Sequence, residues 1–217
     1  LMVTPIENYE KAAVLPLGVS DLVLKPYNPE LLRLRIEKAL KLADSDQELQ
    51  KAEARANSDP LTGLSNRAGF EKAVDAYFSQ NPGGSASLLM LDLDDFKKIN
   101  DVYGHPEGDR ALLQISAVFK ALFREQDTIA RIGGDEFAVF CPSLTSSQLL
   151  AKRMESTCKR ISALHFLQPL SCTIGACRSP QHGQDYSSLY LGADRALLAA
   201  KRLGKNQFQI YGEDSVS

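Results

Sequence analysis

The sequence predicts an α/β fold, an open sheet with helices on both faces, for most of its 217 residues. Helix-forming stretches alternate with short apolar runs over about residues 66–211, the pattern of strands separated by helices. A turn at Gly133 and Gly134 lies between two apolar runs, 128–132 and 137–141. Short β-rich runs on either side of a Gly-Gly pair predict a β-hairpin within that sheet.

The composition is that of an ordinary globular protein, with 44% hydrophobic and 24% charged residues. The formal charge of −2 gives no electrostatic reason to expect a nucleic-acid polymer as partner. No apolar run approaches membrane-spanning length, so we expect no membrane contact in this fragment. The four cysteines form no CxxC pair, which favours reduced thiols and a cytoplasmic location.

The first segment, residues 1–28, does not resemble the rest of the chain. Short apolar runs at 1–4 and 21–24 predict two buried strands, with a helical stretch over about 7–17 between them. The run GVSDLVLKPY resembles the final strand and the lysine-proline turn of a response-regulator receiver domain. The resemblance implies that this segment is the C-terminal part of a receiver domain, without its phosphoacceptor aspartate.

A helical linker is predicted over residues 29–57, which are rich in Leu, Ala, Glu, Lys and Arg. Asn28 is placed to cap this helix and Pro29 to occupy its first turn. Apolar residues recur at heptad spacing: Leu42, Leu49 and Ala56. Both a coiled-coil seam and a solvated connector helix fit this pattern. A helix-breaking segment then begins the third domain, which we assign to residues 58–213.

Within that domain the patterns predict four helices and five segments of strand. The helices are expected over 66–79, 107–123, 146–164 and 187–202, and the strands over 87–93, 171–176, 207–211 and the two arms of the hairpin. Polar, Pro- and Gly-containing segments separate most of these elements, as expected for turns between helices and strands.

The hairpin tip combines two glycines with two acids. We expect Gly133 and Gly134 to supply positive φ and, lacking side chains, to let a substrate approach the backbone. Asp135 and Glu136 would repel each other unless a cation or a hydrogen-bond donor lay between them. A nucleotide site with a metal and an ordinary solvated turn both remain open for this segment alone.

A second acidic cluster follows the predicted strand 87–93. Asp92 is placed at the end of that strand, where ligand-binding groups gather in α/β sheets. Together with a hairpin carboxylate it could hold Mg²⁺, which normally keeps phosphate oxygens among its ligands. For Asp94 or Asp95 we favour a different role, the N-cap of a helix.

Five motifs in order resemble the GGDEF-domain diguanylate cyclases, over about residues 59–211. These motifs are Asp59 to Arg67, Asp92 to Asp101, Gly104-His105 with Gly108-Asp109, Gly133 to Phe137, and Ala193-Asp194-Arg195 through Ala200-Lys201. The resemblance implies a palm-like nucleotide-cyclase domain, α/β or α+β in class, with a central mixed sheet flanked by helices. It also implies an enzyme that condenses two GTP molecules into cyclic di-GMP and two pyrophosphates.

The resemblance assigns the metal and catalytic roles to four residues. Asp92 and Asp135 are the expected metal carboxylates, assisted by the backbone carbonyl of Leu93, with Mg²⁺ as the cofactor and Mn²⁺ as an alternative. Glu136 is the other essential acid, either as a metal ligand or as the group that helps deprotonate the 3′-hydroxyl. An unperturbed Glu is a poor base at neutral pH, so metal activation must contribute much of this step.

The resemblance also assigns guanine recognition to Asn100 and Asp109. Guanine presents two adjacent donors, N1–H and the 2-amino group, which suit a carboxylate such as that of Asp109. Adenine has an unprotonated N1 and would be repelled, so this residue favours GTP. Taken singly, each residue could instead be an ordinary helix-capping or helix-start residue.

The phosphates are expected at a helix start and beside two lysines. The backbone N–H groups around Phe96 and Lys97 are placed to bind anions. Lys201 and Lys205 should add positive charge from the end of the last helix. Lys205 stands where the family more often has Arg, so it keeps the charge but loses the bidentate fork.

An RxxD pattern, Arg124 and Asp127, precedes the hairpin. A surface salt bridge between positions i and i+3 would explain it without any ligand. Its offset from the hairpin is the one at which the family carries a product-inhibition site for cyclic di-GMP, and we favour that interpretation. Arg153 is a candidate for a second arginine at the same site.

The leading hypothesis is therefore an active diguanylate cyclase. Its two GTP molecules must face each other, so a homodimer is expected to be the catalytic unit. The alternative is a non-catalytic module that senses GTP or cyclic di-GMP, whose usual sign would be loss of the hairpin acids. A cyclase acting within one nucleotide is disfavoured by the complete Gly-Gly-Asp-Glu-Phe segment.

Overall fold

The computed structural model describes residues 2–5, 22–26, 28–142 and 144–213. By its internal contacts the chain divides into two compact units, residues 1–54 and 55–217. The helix predicted over about 7–17 lies outside the described residues. Within the described ranges, no helix is both long and apolar enough to cross a bilayer.

The first unit contains a two-stranded parallel sheet and most of a long helix. Strands β1 (Met2–Pro5) and β2 (Leu22–Lys25) pair in parallel, so both predicted strands are present. Helix α1 (Pro29–Ala56) begins after Asn28, whose side chain accepts a hydrogen bond from the backbone N–H of Glu30 at 2.9 Å. The predicted cap is therefore confirmed.

Helix α1 is exposed along most of its length. None of its residues is buried. Six of its large apolar side chains are at least two-fifths exposed: Leu31, Leu34, Ile36, Leu40, Leu42 and Leu49. A helix of this kind gains little stability from packing within its own chain.

The second unit is a mixed five-stranded sheet with helices on both faces. Its elements are α2 (Arg67–Gln80), β3 (Ala86–Asp94), α3 (Phe96–Tyr103), α4 (His105–Leu122), β4 (Thr128–Arg131), β5 (Glu136–Cys141), α5 (Ser147–Ser162), β6 (Ser171–Ser179), α6 (Tyr186–Leu203) and β7 (Phe208–Ile210). The strand order is β4-β5-β3-β6-β7, in which only the β6–β7 pair is parallel. The predicted hairpin and the predicted central mixed sheet are both confirmed.

Two details differ from the sequence prediction. Strand β3 runs on to Asp94, so Asp92 lies within the strand and not at its end. A short helix, α3, precedes the predicted helix at 107–123, which itself starts earlier, at His105. Gly104 separates the two helices with φ of 84°, a conformation that side-chain-bearing residues rarely adopt. This glycine therefore ends α3, a helix that the sequence pattern did not predict, and begins the predicted helix α4.

The central strand β3 is buried on both faces. Leu89, Leu91 and Leu93 pack in a cluster with residues of α4 and α5. Leu88 and Met90 point to the opposite face and pack with residues of α2 and α6. Alternate residues of a strand point to opposite faces, so a continuous apolar run is needed where helices cover both. The predicted two-sided cover of the sheet is thus confirmed.

Helix α6 lies very close to strand β6 at Gly175. A Cβ atom built on Gly175 would lie 2.2 Å from the carbonyl oxygen of Ala193 and 2.2 Å from the backbone nitrogen of Leu197. Both are backbone atoms, which cannot turn aside as a flexible side chain can. The missing side chain of Gly175 therefore sets the distance between the sheet and α6.

We predict that Gly175→Ala lowers the free energy of unfolding by roughly 3 kcal/mol, because the added methyl group forces α6 away from the sheet. Gly134→Ala is the matched control, since a Cβ atom at Gly134 would meet nothing within 4 Å. That variant should stay within about 0.5 kcal/mol of the parent protein. Urea unfolding followed by circular dichroism measures both, and equal stabilities would contradict the close-packing argument.

Candidate functional site

The two acidic clusters meet across the pairing of β3 with β5. Asp92 and Glu136 are direct partners in the antiparallel register, so their side chains leave the sheet on the same face. Asp135 precedes Glu136 at the hairpin, and its carbonyl accepts a hydrogen bond from the N–H of Leu93 at 3.2 Å. The structure therefore brings together all four residues that the sequence assigned to metal binding and catalysis.

The Asp92 carboxylate lies in a site that favours a cation. Its side chain is 15% exposed, and its Oδ2 lies 2.7 Å from Nζ of Lys201. Burial raises the pKa of Asp92, the positive charge of Lys201 partly opposes this rise, and the charges of Asp135 and Asp94 add to it. A buried carboxylate beside other carboxylates binds positive charge readily, because a cation offsets both the lost hydration and the repulsion.

These residues fit a magnesium ion that is shared with a phosphate. Within the described ranges, no three His, Cys, Asp or Glu side chains are grouped so as to hold a metal alone. Magnesium does not need such a group, because it commonly takes one or two carboxylates and completes its shell with water and substrate phosphates. Asp92, Asp135 and the Leu93 carbonyl are hard oxygen donors of the kind that it prefers.

The glycines of the hairpin tip act differently from the prediction. Neither Gly133 nor Gly134 has positive φ, so the expectation of left-handed glycines at this turn is wrong. A Cβ atom on Gly133 would lie 2.6 Å from Oε2 of Glu136, so this glycine makes room for the catalytic candidate's carboxylate. Gly134 is exposed with open space at its Cβ position, as expected if a ligand approaches there.

Arg131, for which the sequence predicted no role, fixes the backbone of the hairpin tip. Nη2 and Nε of Arg131 donate to the carbonyl oxygen of Gly134 at 2.8 and 3.2 Å. Its Nη1 lies 3.3 Å from Oδ2 of Asp59, and both side chains are about one-sixth exposed. Asp59 also accepts from the N–H and the hydroxyl of Thr62, at 2.8 and 2.6 Å. The only sequence signal was that Asp59 begins one motif and that Arg131 lies two residues before another.

This arrangement controls the ionisation of Asp59. Burial alone would raise the pKa of Asp59, but hydrogen bonds from Thr62 and the neighbouring charge of Arg131 outweigh it, and the pKa lies below the ordinary value of 3.8. The carboxylate is therefore charged at neutral pH and fixes Arg131 beneath the tip.

The two candidate guanine-binding residues come from adjacent helices, α3 and α4. Asn100 lies on α3, and a Cβ atom on Gly108 of α4 would be 2.0 Å from its Oδ1. Asp109, the residue after Gly108, is exposed. The close contact at Gly108 thus places Asn100 beside the helix turn that carries Asp109.

The candidate phosphate-binding residues gather at the start of α3. Asp95 occupies the N-cap position with φ of 56°, but its side chain makes no capping hydrogen bond. It pairs instead with Lys205 at 3.1 Å and with Lys98 at 3.2 Å. Hydrogen bonds from Lys205 first, and then from Lys98, lower the pKa of Asp95. Because Phe96 is buried, only its backbone can face an anion, while Lys97 is exposed.

Of the two candidates for the N-cap, Asp94 does not occupy that position. It lies inside β3, is 5% exposed and binds hydroxyl groups of β6. The N-cap prediction is correct for Asp95 only in position, since no capping bond forms.

The RxxD residues form a tight turn beside a small cavity. Oδ2 of Asp127 accepts a hydrogen bond from the backbone N–H of Arg124 at 2.8 Å, and the N–H of Asp127 donates to the Arg124 carbonyl at 3.0 Å. Arg124, Asp127 and Arg153 all line a cavity of about 90 Å³. Arg153 donates to the carbonyl of Leu122, and its guanidinium lies 5.5 Å from the ring centre of Phe123. The structure thus brings the three predicted residues together.

Comparison with known proteins gives one consistent family. Residues 56–207 match the family described as "Diguanylate cyclase, GGDEF domain". The chain is 33% identical over 159 residues to the Escherichia coli K12 protein named cyclic di-GMP phosphodiesterase PdeR, covering 72% of this chain and 24% of that protein. It is 35% identical over 164 residues to diguanylate cyclase DgcS of Shewanella oneidensis, covering 74% and 55%.

A solved structure has the same fold. The coiled coil and GGDEF domain of DgcB from Caulobacter crescentus, in complex with c-di-GMP, superposes with a TM-score of 0.73 at 25% identity. The match covers 83% of this chain and 98% of that one. The chain spans only about a quarter to about a half of the length of the first curated relatives it matches.

We predict that Asp59→Asn lowers the free energy of unfolding by about 1–3 kcal/mol at pH 7, because it removes the charge that holds Arg131. The pKa of Asp59 is lowered in the folded protein, so its contribution is complete above the ordinary value of 3.8 and is lost as pH falls through the folded value. Parent and variant should therefore converge in stability under acid conditions. Asp75→Asn, an exposed position on α2, is the control. A difference that does not change with pH would contradict this account.

Proposed function

Because the chain belongs to the GGDEF family of diguanylate cyclase domains, we propose that it condenses two GTP molecules into cyclic di-GMP and two pyrophosphates. The observation that supports this most is the direct cross-strand pairing of Asp92 with Glu136, next to Asp135. Relatives of similar identity include a protein named as a phosphodiesterase, so family membership alone does not give the activity. The retained acids do support it.

The metal would be held by Asp92, Asp135 and the carbonyl of Leu93. When bound there, Mg²⁺ or Mn²⁺ would neutralise phosphate charge and lower the pKa of the attacking hydroxyl. Lys201, which contacts Asp92, and Lys205, which contacts Asp95, would turn toward the triphosphate. The position of the two ammonium groups beside Asp92 and Asp95 supports this role.

The chain's own groups would orient the triphosphate and the base. The backbone N–H groups of Phe96 and Lys97 lie at the start of α3, where unpaired donors suit a phosphate. Gly133 and Gly134 would leave the tip backbone open to the nucleotide. Asn100 and Asp109 would bind the guanine edge.

In the reaction, the 3′-oxygen of one GTP attacks the α-phosphorus of the other. A new P–O bond forms, the bond between the α- and β-phosphates breaks, and pyrophosphate leaves. Glu136 would serve either as a metal ligand or as the group that accepts the hydroxyl proton. Repeating the step from the second GTP closes the ring.

A homodimer would be the catalytic unit. Each domain holds one GTP, so two sites must face each other for the reaction to be intramolecular in effect. The exposed apolar side chains of α1 support association through this helix. We therefore propose the coiled-coil interpretation of residues 29–57, between a segment at 1–28 that resembles the C-terminal part of a receiver domain and the cyclase domain at 58–213.

The cytoplasm is the proposed location. All four cysteines are free and buried, as expected where thiols stay reduced.

Arg124 and Asp127 are proposed to bind the product and limit its synthesis. Their turn and the nearby Arg153 line one cavity, so an arginine fork and a carboxylate are available to guanine edges and phosphates. The tight Asp127 turn would hold Arg124 in place.

We predict that Glu136→Ala lowers the rate of cyclic di-GMP formation by about 10²–10⁴-fold without loss of folding, because an acid required for the chemical step is removed. Chromatography of GTP and Mg²⁺ reactions, with circular dichroism of the protein, measures both. Glu71→Gln, an exposed acid on α2, should keep the parent rate. Bound GTP without product from the parent protein would instead support the non-catalytic sensor.

We also predict that Arg124→Ala raises the cyclic di-GMP concentration needed for half-inhibition by at least about tenfold, while the initial rate stays unchanged. The loss follows from removing the guanidinium fork that would bind the product. Arg160→Ala, at an exposed position of α5, is the control and should be inhibited like the parent. Equal inhibition of all three proteins would exclude the RxxD site.

A further inference from the structure

The buried carboxylate of Asp94 joins three segments of the chain. Its Oδ1 accepts a hydrogen bond from the Thr173 hydroxyl at 2.7 Å, and its Oδ2 accepts one from the Ser171 hydroxyl at 2.6 Å. Oδ2 also accepts from the backbone N–H of Asn206 at 3.0 Å. The first two bonds tie β3 to β6, and the third ties β3 to the turn after α6. The bond to Asn206 thus links Asp94 to a segment outside the sheet.

The turn held by this third bond has an unfavourable backbone. Gly204, Lys205 and Asn206 have φ values of 130°, 60° and 46°. Glycine adopts positive φ freely, but a lysine does so only where its surroundings hold it. Two hydrogen bonds stabilise this conformation. The N–H of Asn206 donates to Asp94, and the side-chain oxygen of Asn206 accepts from the Ser162 hydroxyl at 3.2 Å.

The strained turn carries a lysine that matters for the proposed chemistry. Nζ of Lys205 lies 3.1 Å from Asp95, at the start of α3. Asp94 is the residue before Asp95 and lies two residues after Asp92 on the same face of β3. Residues 92–95, the end of β3 and the first residue after it, therefore carry the proposed metal carboxylate, the anchor of the turn and the present partner of Lys205.

We propose that Asp94 is a positioning residue, which fixes the 204–206 turn so that Lys205 meets the triphosphate at the start of α3. This inference rests on the proposed function, because it requires Lys205 to bind a phosphate. Asp94 itself touches neither substrate nor metal in this proposal. It acts through the N–H of Asn206.

Three substitutions separate this role from the alternatives. Asp94→Ala removes all three bonds. Asp94→Asn can keep them, because its amide oxygen can face Ser171 and Asn206 while its NH₂ donates to the Thr173 hydroxyl. Thr173→Val removes only the bond to Oδ1 and leaves the turn anchored.

The test measures binding of α,β-methylene-GTP with Mg²⁺ to the full chain by calorimetry, since this analogue cannot be cleaved at the reacting bond. Asp94→Ala should raise the Kd by about tenfold, as expected for the loss of one charged contact. Asp94→Asn and Thr173→Val should stay within about twofold of the parent. Loss of binding in Asp94→Asn equal to that in Asp94→Ala would mean that the negative charge is required, and would overturn the positioning role.

A double-mutant cycle asks whether Asp94 acts through Lys205. Lys205→Ala should raise the Kd at least as much as Asp94→Ala, and combining the two should add nothing further. Additive effects would overturn the proposal, because they would show that Asp94 supports binding by another route.

Amide hydrogen exchange gives a readout that does not depend on nucleotide. The N–H of Asn206 should be protected in the parent protein and in Thr173→Val, and should exchange at least about tenfold faster in Asp94→Ala. Rapid exchange of Asn206 in the parent would overturn the anchor even if Asp94→Ala failed to fold. If the parent binds no analogue, the proposed function fails, while the exchange data still decide whether Asp94 holds the turn.

Discussion

The pairing of β3 with β5 is the constraint on which the rest of the site depends. It sets Asp92 opposite Glu136, and a slip of one residue would send one of the two carboxylates to the other face of the sheet. The apolar residues of β3 are packed against helices on both faces, so a slip would also displace these close-packed side chains. The same burial that stabilises the domain therefore fixes the distance between its two acidic clusters.

Charge compensation around these acids is local and specific. Asp92 pairs with Lys201, Asp95 with Lys205 and Asp59 with Arg131. The first two pairs lie at the proposed substrate site. There each lysine would leave its carboxylate to bind a phosphate, and the carboxylate of Asp92 would bind a cation instead. In the third pair both side chains are about one-sixth exposed, and Arg131 also holds the backbone of the hairpin tip. This pair therefore has a structural role that requires it to stay intact. Pairs of similar geometry thus serve different purposes, which their exposure and neighbours distinguish.

Much of this could be predicted from sequence, because the strongest patterns came from long elements and from motifs. The central strand, the hairpin and the mixed sheet followed from apolar periodicity and from the family resemblance. The hydrogen bonds of Asp94 could not be predicted, since its partners Ser171 and Asn206 lie far along the chain. The same holds for the separation of α3 from α4, which depends on the backbone angle of Gly104. The local pattern of residues in a sequence does not reveal such long-range hydrogen bonds or the value of a single dihedral angle.

The central position of β3 also has a consequence for how the domain is made. Its two neighbours in the sheet, β5 and β6, lie about 50 and about 85 residues further along the chain, so both edges pair through non-local contacts that form slowly. As the chain leaves the ribosome, this apolar strand is synthesised well before either partner. Until β5 and β6 have been synthesised, β3 is an unpaired hydrophobic segment that can associate with other chains. The strand that gives the finished site its precision is thus the segment most dependent on protection during synthesis.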